Sequence, residues 1–536
     1  MMVSLENIVS RMKKIVLFTI VLAILISCQV EPPASNNLQR KVEAGIIEGF
    51  LSEDGTVEKY LGIPYAKPPI GDLRWRPPQK PESWEGVLET KQYGKEAMKY
   101  RFQPWFSFAD SLLSEDCLYL NIWRPTNTEN RNLPVLVNVH GGGFAVGSGS
   151  LPWIDGTATA KKGIIVVTIN YRLNIFGFFA HPELSKESPH GSSGNYGLLD
   201  QQFALQWVKD NIEAFGGDPN KITIAGSSAG SQSVLFLMSS PLSKNLVTAA
   251  IGSSFGVKTR KPLAEAEMFG QIAAESAGYS TIEKLRAAST EDIMKLYIGH
   301  PFAYGPVIDG YFLPENAIRI FEAGKQAQIP LLIGWNSAEL PSRNYLGEDA
   351  HSKDNFEKKT KELYPVNYEQ ILQLFPHETI AEIEQSATDL ASIRLIVLGA
   401  WKWFDLHRKH SDQSVYRYVF SKIHPPRISD SVDMTTYKPP LGASHSQELG
   451  YSWGNLHLIK DYDFSSEDYE VSSKMHEYYS NFIKTGNPNG DGLPEWPAVE
   501  TDNESPMIMN FDTQTELVPA SLDYRFRYLE EMGHPY

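Results

Sequence analysis

Apolar and polar positions divide the chain into readable stretches. Around "EDG" at 53–55, residues 42 to 66 alternate between apolar and polar side chains. A two-residue period belongs to a strand with one buried face, so this stretch predicts an antiparallel hairpin. Four apolar runs of strand length follow: "LPVLVNV" (133–139), "IIVVTIN" (164–170), "KITIA" (221–225) and "PLLIGW" (330–335). Apolar runs of this length suit strands covered on both faces, as in the middle of a mostly parallel sheet. Between the second and third, "GLLDQQFALQWVKDNI" sets Leu199, Phe203, Trp207 and Ile212 at roughly helical spacing, which predicts a helix with these residues near one face. Strand–helix alternation argues for the α/β class. Residues 340 to 410 are charged and carry helical patterns without strand runs, and predict a helical insertion between late strands.

The first residues have a different pattern. Met12-Lys13-Lys14 precedes an apolar run from Ile15 to Ile26 that is too short to span a bilayer and matches the apolar region of a signal peptide. Met12 is a candidate start. Leu25-Ile26-Ser27-Cys28 resembles a bacterial lipobox, in which the cysteine becomes the lipidated first residue of the mature chain. The expected organisation is a signal peptide over 1–27, a polar, proline-containing tether over 28–41, and one globular domain over 42–536. Acyl chains on Cys28 would hold the exported protein at a membrane surface without spanning it.

Composition narrows the function. The 536 residues are 42% hydrophobic and 21% charged, enough for one large globular α/β domain. With a formal net charge of −15 and no basic block, nucleic acid is not an expected partner. No His/Cys/Asp cluster has metal-ligand spacing. "GGGFAVGSG" lacks the Lys and Ser/Thr of a phosphate loop, so no nucleotide site is expected. Of the two cysteines, Cys28 is the lipidation candidate, which leaves Cys117 without an intrachain partner.

The candidate chemistry is in "KITIAGSSAG" (221–230). A short strand meets Gly226-Ser227-Ser228-Ala229-Gly230, a G-x-S-x-G sequence of the kind found where a strand turns sharply into a helix and exposes a nucleophilic serine. A serine hydroxyl is a weak nucleophile at neutral pH and needs a base, and the base needs an acid to orient it. The motif alone also occurs by chance in a glycine-rich turn.

Longer blocks accompany it: "EDCLYLNIWRP" (115–125), "VNVHGGGF" (137–144), "TINYRLNIFGFF" (168–179), "GNYGLLDQQFALQWVKDNIEAFGGDPNKITIAGSSAG" (194–230), "PVIDGYFLP" (306–314), "GASHSQELGYSWGN" (442–455) and "NFIKTGNPNG" (481–490). Together they resemble the type-B carboxylesterase family, which includes the cholinesterases, from about residue 42 to the C-terminus. The resemblance implies an α/β-hydrolase fold with a central, mostly parallel sheet flanked by helices. The implied activity is hydrolysis of a small-molecule carboxylic ester through an acyl-enzyme, without a cofactor. It implies Ser228 as nucleophile and His445 as base, with Ser446 where the family usually has glycine; a serine there is tolerable if its φ is negative. Glu339, in "GWNSAEL", falls on the position of the family's acid, with Ala338 and Leu340 replacing the usual Asp and Gly. The order Ser…Glu…His is that of the fold. Asp309, the nearest rival, is expected to be structural. Gly142, Gly143 and Ala229 are the implied oxyanion donors, and Ser253 the implied supporting serine.

Other residues receive other roles. Glu115, Asp116 and Arg172 are expected in ion pairs that hold loops, and His407, His410 and His457 in packing or surface positions. Trp105, Phe106 and Phe108 lie in the region that forms part of the gorge wall in the family, while an aromatic cluster as such is more often core than pocket. Many relatives bridge the cysteine of "EDCLYLN" to one upstream, whereas "YGKEAMKY" has none. The neutral Ser227 stands where cholinesterases carry a glutamate, which implies neutral esters and no preference for choline. The alternative function is that of a specialised lipase or of a feruloyl or acetyl esterase of polysaccharide side chains, which fold analogy does not separate. A non-catalytic adhesion module of the neuroligin kind shares the fold but lacks the nucleophile.

Overall fold

Eleven strands form one sheet: β1 (Phe50–Leu51), β2 (Val57–Pro64), β3 (Tyr119–Pro125), β4 (Leu133–Val139), β5 (Ile165–Ile169), β6 (Gly217–Ser227), β7 (Ala249–Ser253), β8 (Leu331–Asn336), β9 (Val415–Phe420), β10 (Met507–Phe511) and β11 (Glu516–Pro519). Their spatial order is β11-β10-β9-β8-β7-β6-β4-β5-β3-β2-β1. From β10 to β5 every neighbouring pair is parallel, while β11 at one edge and β3, β2 and β1 at the other are antiparallel. The computed structural model describes residues 38–99, 112–126, 132–301, 303–430 and 437–534. The segment expected to be a signal peptide, the lipidation candidate Cys28, and Trp105, Phe106 and Phe108 lie outside these residues.

The apolar runs become central strands because both faces of the sheet are covered. In β4, Val135, Val137 and Val139 enter the core on one face, and Leu136 enters the core on the other. β5 divides the same way, with Ile165, Val167 and Ile169 on one side and Val166 on the other. Each such side chain removed from water stabilises the fold by roughly 1.5–3 kcal/mol. A strand with two buried faces lacks the polar–apolar alternation of a one-sided strand, and the polar residues it does carry here, Asn138 and Thr168, are buried too.

Two expectations are corrected. The predicted hairpin holds over β1 and β2, but Gly45–Glu48 leaves it to pair in parallel with Val87–Glu89 in a separate small sheet. The helix α1 (Tyr196–Asn211) forms as predicted, but its buried face is broader than the apolar spacing marks. Trp207 and, just past its end, Ile212 are buried and Leu199 and Phe203 half-buried, while Leu198, Gln201, Ala204, Leu205 and Val208 are buried as well. Gln201 donates from its amide to Ser233 Oγ at 3.0 Å. Polar residues share the buried face, so apolar spacing alone marks only part of it.

Residues 340 to 410 are the expected helical insertion between β8 and β9, with helices at Lys353–Leu363, Tyr368–Leu374, Ile380–Ser392 and Leu398–Lys409. The C-terminal ends of β4, β6 and β8, and the long connection after β9, converge at one edge of the sheet. In open parallel sheets this is where ligands bind.

Candidate active site

At the end of β6 the chain turns sharply at Ser228 (φ 59°, ψ −125°) into α2 (Ala229–Ser239). The flanking glycines make this turn possible through close approach. A Cβ on Gly226 would lie 2.4 Å from the Gly230 backbone, and one on Gly230 would lie 2.2 Å from the Val139 carbonyl oxygen. Ser228 occupies a sparsely populated backbone region, at a cost on the order of 1–3 kcal/mol that the surroundings must offset. Two bonds hold it: Ser228 N–H donates to the Ser253 carbonyl at 2.9 Å, and Gln232 N–H donates to the Ser228 carbonyl at 3.1 Å.

His445 Nε2 lies 2.9 Å from Ser228 Oγ, and His445 Nδ1 lies 2.6 Å from Glu339 Oε2. A carboxylate only accepts, so Nδ1 carries the proton and Nε2 is free to accept the serine's. The side chain of Glu339 is fully buried, and its Oε1 accepts from Asn336 N–H at 2.7 Å. The two loops are joined by backbone bonds as well: His445 N–H donates to the Glu339 carbonyl at 3.0 Å and Ala338 N–H to the Ala443 carbonyl at 2.9 Å. Burial alone would lower the pKa of His445. The charges of Glu339 and, more weakly, Glu448 outweigh it, and the net direction is upward.

Behind the triad stands a second buried carboxylate that sequence reasoning passed over. Glu448, in α3 (Glu448–Ser452), accepts from Ser227 Oγ at 2.9 Å and from Asn336 Nδ2 at 2.7 Å. Asn336 Nδ2 also donates to the Ser444 carbonyl at 2.9 Å, so one amide ties the acid loop, the histidine loop and Glu448 together. Burial, with the nearby charge of Glu339, raises the pKa of Glu448. The signal available in the sequence was its place three residues after His445. An acidic side chain therefore stands behind neutral Ser227, one position further back.

The glycine turn after β4 lies directly against the elbow. A Cβ on Gly141 would meet the Ser227 carbonyl oxygen at 2.5 Å and Ser228 Cβ at 3.2 Å. Gly142 (φ 110°) and Gly143 (φ 64°) take backbone conformations that suit glycine, and their turn is closed by Ala145 and Val146 N–H groups donating to the Gly142 carbonyl. Nothing lies within 4 Å of where a Gly143 side chain would begin. Ala229 heads α2, so its N–H has no intrahelical acceptor. His140 braces the turn: Nδ1–H donates to the Gly141 carbonyl at 2.8 Å, and the ring stacks on Tyr171 at 4.5 Å.

The other expected residues fall as follows. Ser253 supports Ser228 through its carbonyl, but its hydroxyl pairs with Tyr418 Oη at 2.8 Å and not with a triad side chain. Ser446 has φ 68°, so the condition set for a serine there is not met: the position is left-handed and strained. Leu340 does not have a positive φ, so glycine is not required there. Asp309 spends its carboxylate on the backbone N–H groups of Tyr311 and Leu313, as a structural residue does. Glu115 pairs bidentately with Arg74, Asp116 with Lys95, and Arg172 with Asp200. His407 is buried against the Ile329 carbonyl, and His410 and His457 are exposed. Cys117 is a buried free thiol. Among the described residues no group of His, Cys, Asp and Glu is arranged to hold a metal ion.

Residues 36–527 match the Carboxylesterase family. The fumonisin B1 esterase of Sphingopyxis macrogoltabida is 34% identical over 524 residues, covering 92% of this chain and 89% of that protein. The para-nitrobenzyl esterase of Bacillus subtilis (strain 168) is 34% identical over 501 residues, covering 89% and 96%. A solved PNB esterase superposes with a TM-score of 0.78 at 30% identity, covering 91% of this chain and 99% of that one. With an elbow serine, a histidine and a buried glutamate in one hydrogen-bonded chain on an α/β sheet, this protein belongs to the carboxylesterase family.

Proposed function

We propose that this protein is a serine carboxylic-ester hydrolase in which Ser228, His445 and Glu339 are the catalytic triad. The observation that carries the reading is the continuous chain Ser228–His445–Glu339, 2.9 and 2.6 Å long at its two links. Ser228 Oγ attacks the ester carbonyl as His445 Nε2 takes its proton. Glu339 holds the imidazole in the required tautomer and stabilises the imidazolium that forms. The N–H groups of Gly142, Gly143 and Ala229 receive the oxyanion; donors already fixed in place need no reorganisation as charge develops. The imidazolium then protonates the leaving alcohol, and water, activated by the same histidine, releases the acid from the acyl-enzyme. Small-molecule carboxylic esters are the substrate class, and the chemistry requires no metal or cofactor.

Ser228→Ala removes the attacking atom and little else, so hydrolysis of p-nitrophenyl acetate falls by about 10³-fold or more while the protein remains folded. Retained turnover by the pure, folded variant would overturn the assignment.

We also propose that the protein is exported and held at a membrane surface by lipid on Cys28. The Leu-Ile-Ser-Cys sequence after a short apolar run supports this, and two or more acyl chains suffice for stable anchoring where one does not. Labelled fatty acid enters the wild type and not Cys28→Ala; equal labelling of both would exclude the anchor.

A further inference from the structure

One row of residues crosses four strands just below the elbow. Ser227 on β6 is in register with Ser253 on β7, Ser253 with Gly334 on β8, and Gly334 with Tyr418 on β9. Residues in register on parallel strands point to the same face of the sheet. The gap at Gly334 lets Tyr418 cross β8: a Cβ at 334 would lie 2.3 Å from Tyr418 Cδ1. The ring therefore lies over β8, and its Oη reaches Ser253 Oγ at 2.8 Å. Tyr479, on the helix Ser466–Thr485, donates from its own Oη to Tyr418 Oη at 2.9 Å. Ser253, Tyr418 and Tyr479 are all buried. Burial above all raises the pKa of both phenols, so the chain consists of neutral hydroxyls.

The place of this chain is specific. Two residues earlier on the same strands, the row on this face is Ala225, Ile251, Leu332 and Tyr416, all part of the core. A buried hydroxyl is unfavourable unless it is bonded, so an apolar row would be the ordinary continuation. Hydroxyls replace it in the last row before the nucleophile. Ser253 is also where the nucleophile is held, because its carbonyl accepts Ser228 N–H. Directly after Ser253 the chain turns away at Ser254, which has φ 55°. The end of β7 thus lies between two positions of positive φ, Ser228 across the sheet and Ser254 along the chain. The hydroxyl of Ser253 gives this strand end a further attachment, on the β9 side. That attachment is firm, since the Tyr418 ring packs against Trp496 and Phe511 with centroids 6.5 and 5.7 Å away.

We propose that Tyr418, supported by Tyr479, is a positioning residue for Ser228: it fixes the hydroxyl of Ser253, and with it the carbonyl that sets the Ser228 N–H and the angle of the elbow. The proposal rests on the Ser228 reading above and adds to it side chains that touch no substrate. They act through the backbone of the nucleophile. The two phenols bond to Ser253 and to each other, whereas Glu448 bonds to Ser227 and Asn336 on the acid–base side. Hydroxyls in series polarise one another, so loss of the middle one weakens the whole chain. The effect is smaller than that of losing a triad member, because the elbow keeps its own backbone bonds.

The test is Tyr418→Phe, which removes one oxygen and leaves the ring in its packing. Turnover of p-nitrophenyl acetate is measured per active site, the sites being counted with a fluorophosphonate that reacts with the nucleophilic serine. Both kcat and the rate of phosphonylation fall by about fivefold, the equivalent of one ordinary hydrogen bond. The acid limb of the pH profile stays in place, since no charge is removed. Tyr479→Phe leaves the Tyr418–Ser253 bond and lowers kcat by about twofold or less. A destabilised Tyr418→Phe with wild-type turnover per counted site would leave the chain a purely structural role and overturn the proposal. A shifted acid limb would overturn it as well, because the phenol would then act through Glu448 and His445. Should Tyr418→Phe not fold, Ser253→Ala, which keeps the carbonyl, gives the answer: the same loss supports the proposal, and wild-type turnover per site overturns it. Wild-type protein that neither turns over the ester nor takes up the fluorophosphonate would bring down the Ser228 reading instead.

Discussion

Ser228 is carried by the end of a central strand, whereas Glu339 and His445 come from two loops 106 residues apart in the chain. Around the serine, the backbone makes the site. β6 delivers it, β7 supplies a carbonyl to its N–H, and the two elbow glycines let α2 and β4 close in. Around the acid and base, side chains make the site. Asn336 and Glu448 join loops that no regular element holds at that point. A nucleophile set by backbone tolerates changes in its neighbours' side chains as long as they stay small. A base set by a side-chain network depends on each member of that network.

The sharpest way to break the acid–base half is Glu339→Gln. The amide keeps an oxygen for Asn336 N–H but offers His445 Nδ1 no charge, and it can turn a donor toward the ring and favour the wrong tautomer. A loss of kcat of roughly 10²-fold or more is expected, less than for Ser228→Ala because the base and the oxyanion donors remain. Asp309→Asn, which preserves an acceptor for Tyr311 and Leu313 N–H, changes kcat by no more than about threefold. If Asp309→Asn proved the more damaging, the acid would be misassigned.

Glu448→Gln probes the network one step further back. His445 must be neutral to act as base, so its raised pKa sets the acid limb of kcat/KM. Negative charge on Glu448 favours the imidazolium, and its removal lowers the pKa of His445. The acid limb then moves to lower pH, while turnover on the plateau falls by about tenfold or less. A limb that moved to higher pH, or did not move, would remove Glu448 from the electrostatics of the site and leave it a purely structural role.

This contrast also accounts for what could be read in the sequence. The elbow is legible because its requirements are local: a strand, a small residue at each approach and a serine between them fit in ten residues. The same holds for β4, β5 and β8, whose two-sided burial leaves an unbroken apolar run. Glu448 was not legible, because nothing in "SHSQEL" says that a helix turns this carboxylate inward to meet Ser227, 221 positions earlier. Only part of the buried face of α1 was legible, because Asp200 and Gln201 are buried through specific partners, which apolar spacing does not register.

The smallest effect is expected at Ser446, and it isolates backbone strain from chemistry. Its φ of 68° places it in the left-handed region, which a residue with a Cβ enters at a cost of about 1–2 kcal/mol. Glycine removes that cost but gives back about 0.5–1 kcal/mol through the greater freedom of the unfolded chain. The balance for Ser446→Gly is a stabilisation of up to about 1.5 kcal/mol, read as a shift of the urea midpoint with unchanged slope. The side-chain hydrogen bonds of Ser228 and Glu339 go to His445 and Asn336 and not to Ser446. The backbone bond from His445 N–H to the Glu339 carbonyl precedes it in the chain and is retained. Turnover should therefore change by less than about twofold. A destabilised Ser446→Gly would mean that the serine hydroxyl holds the histidine loop more strongly than the left-handed backbone opposes it. A large loss of activity in a variant of unchanged stability would mean that the strain at 446 itself positions His445, and the acid–base half would then share the backbone control that sets the nucleophile.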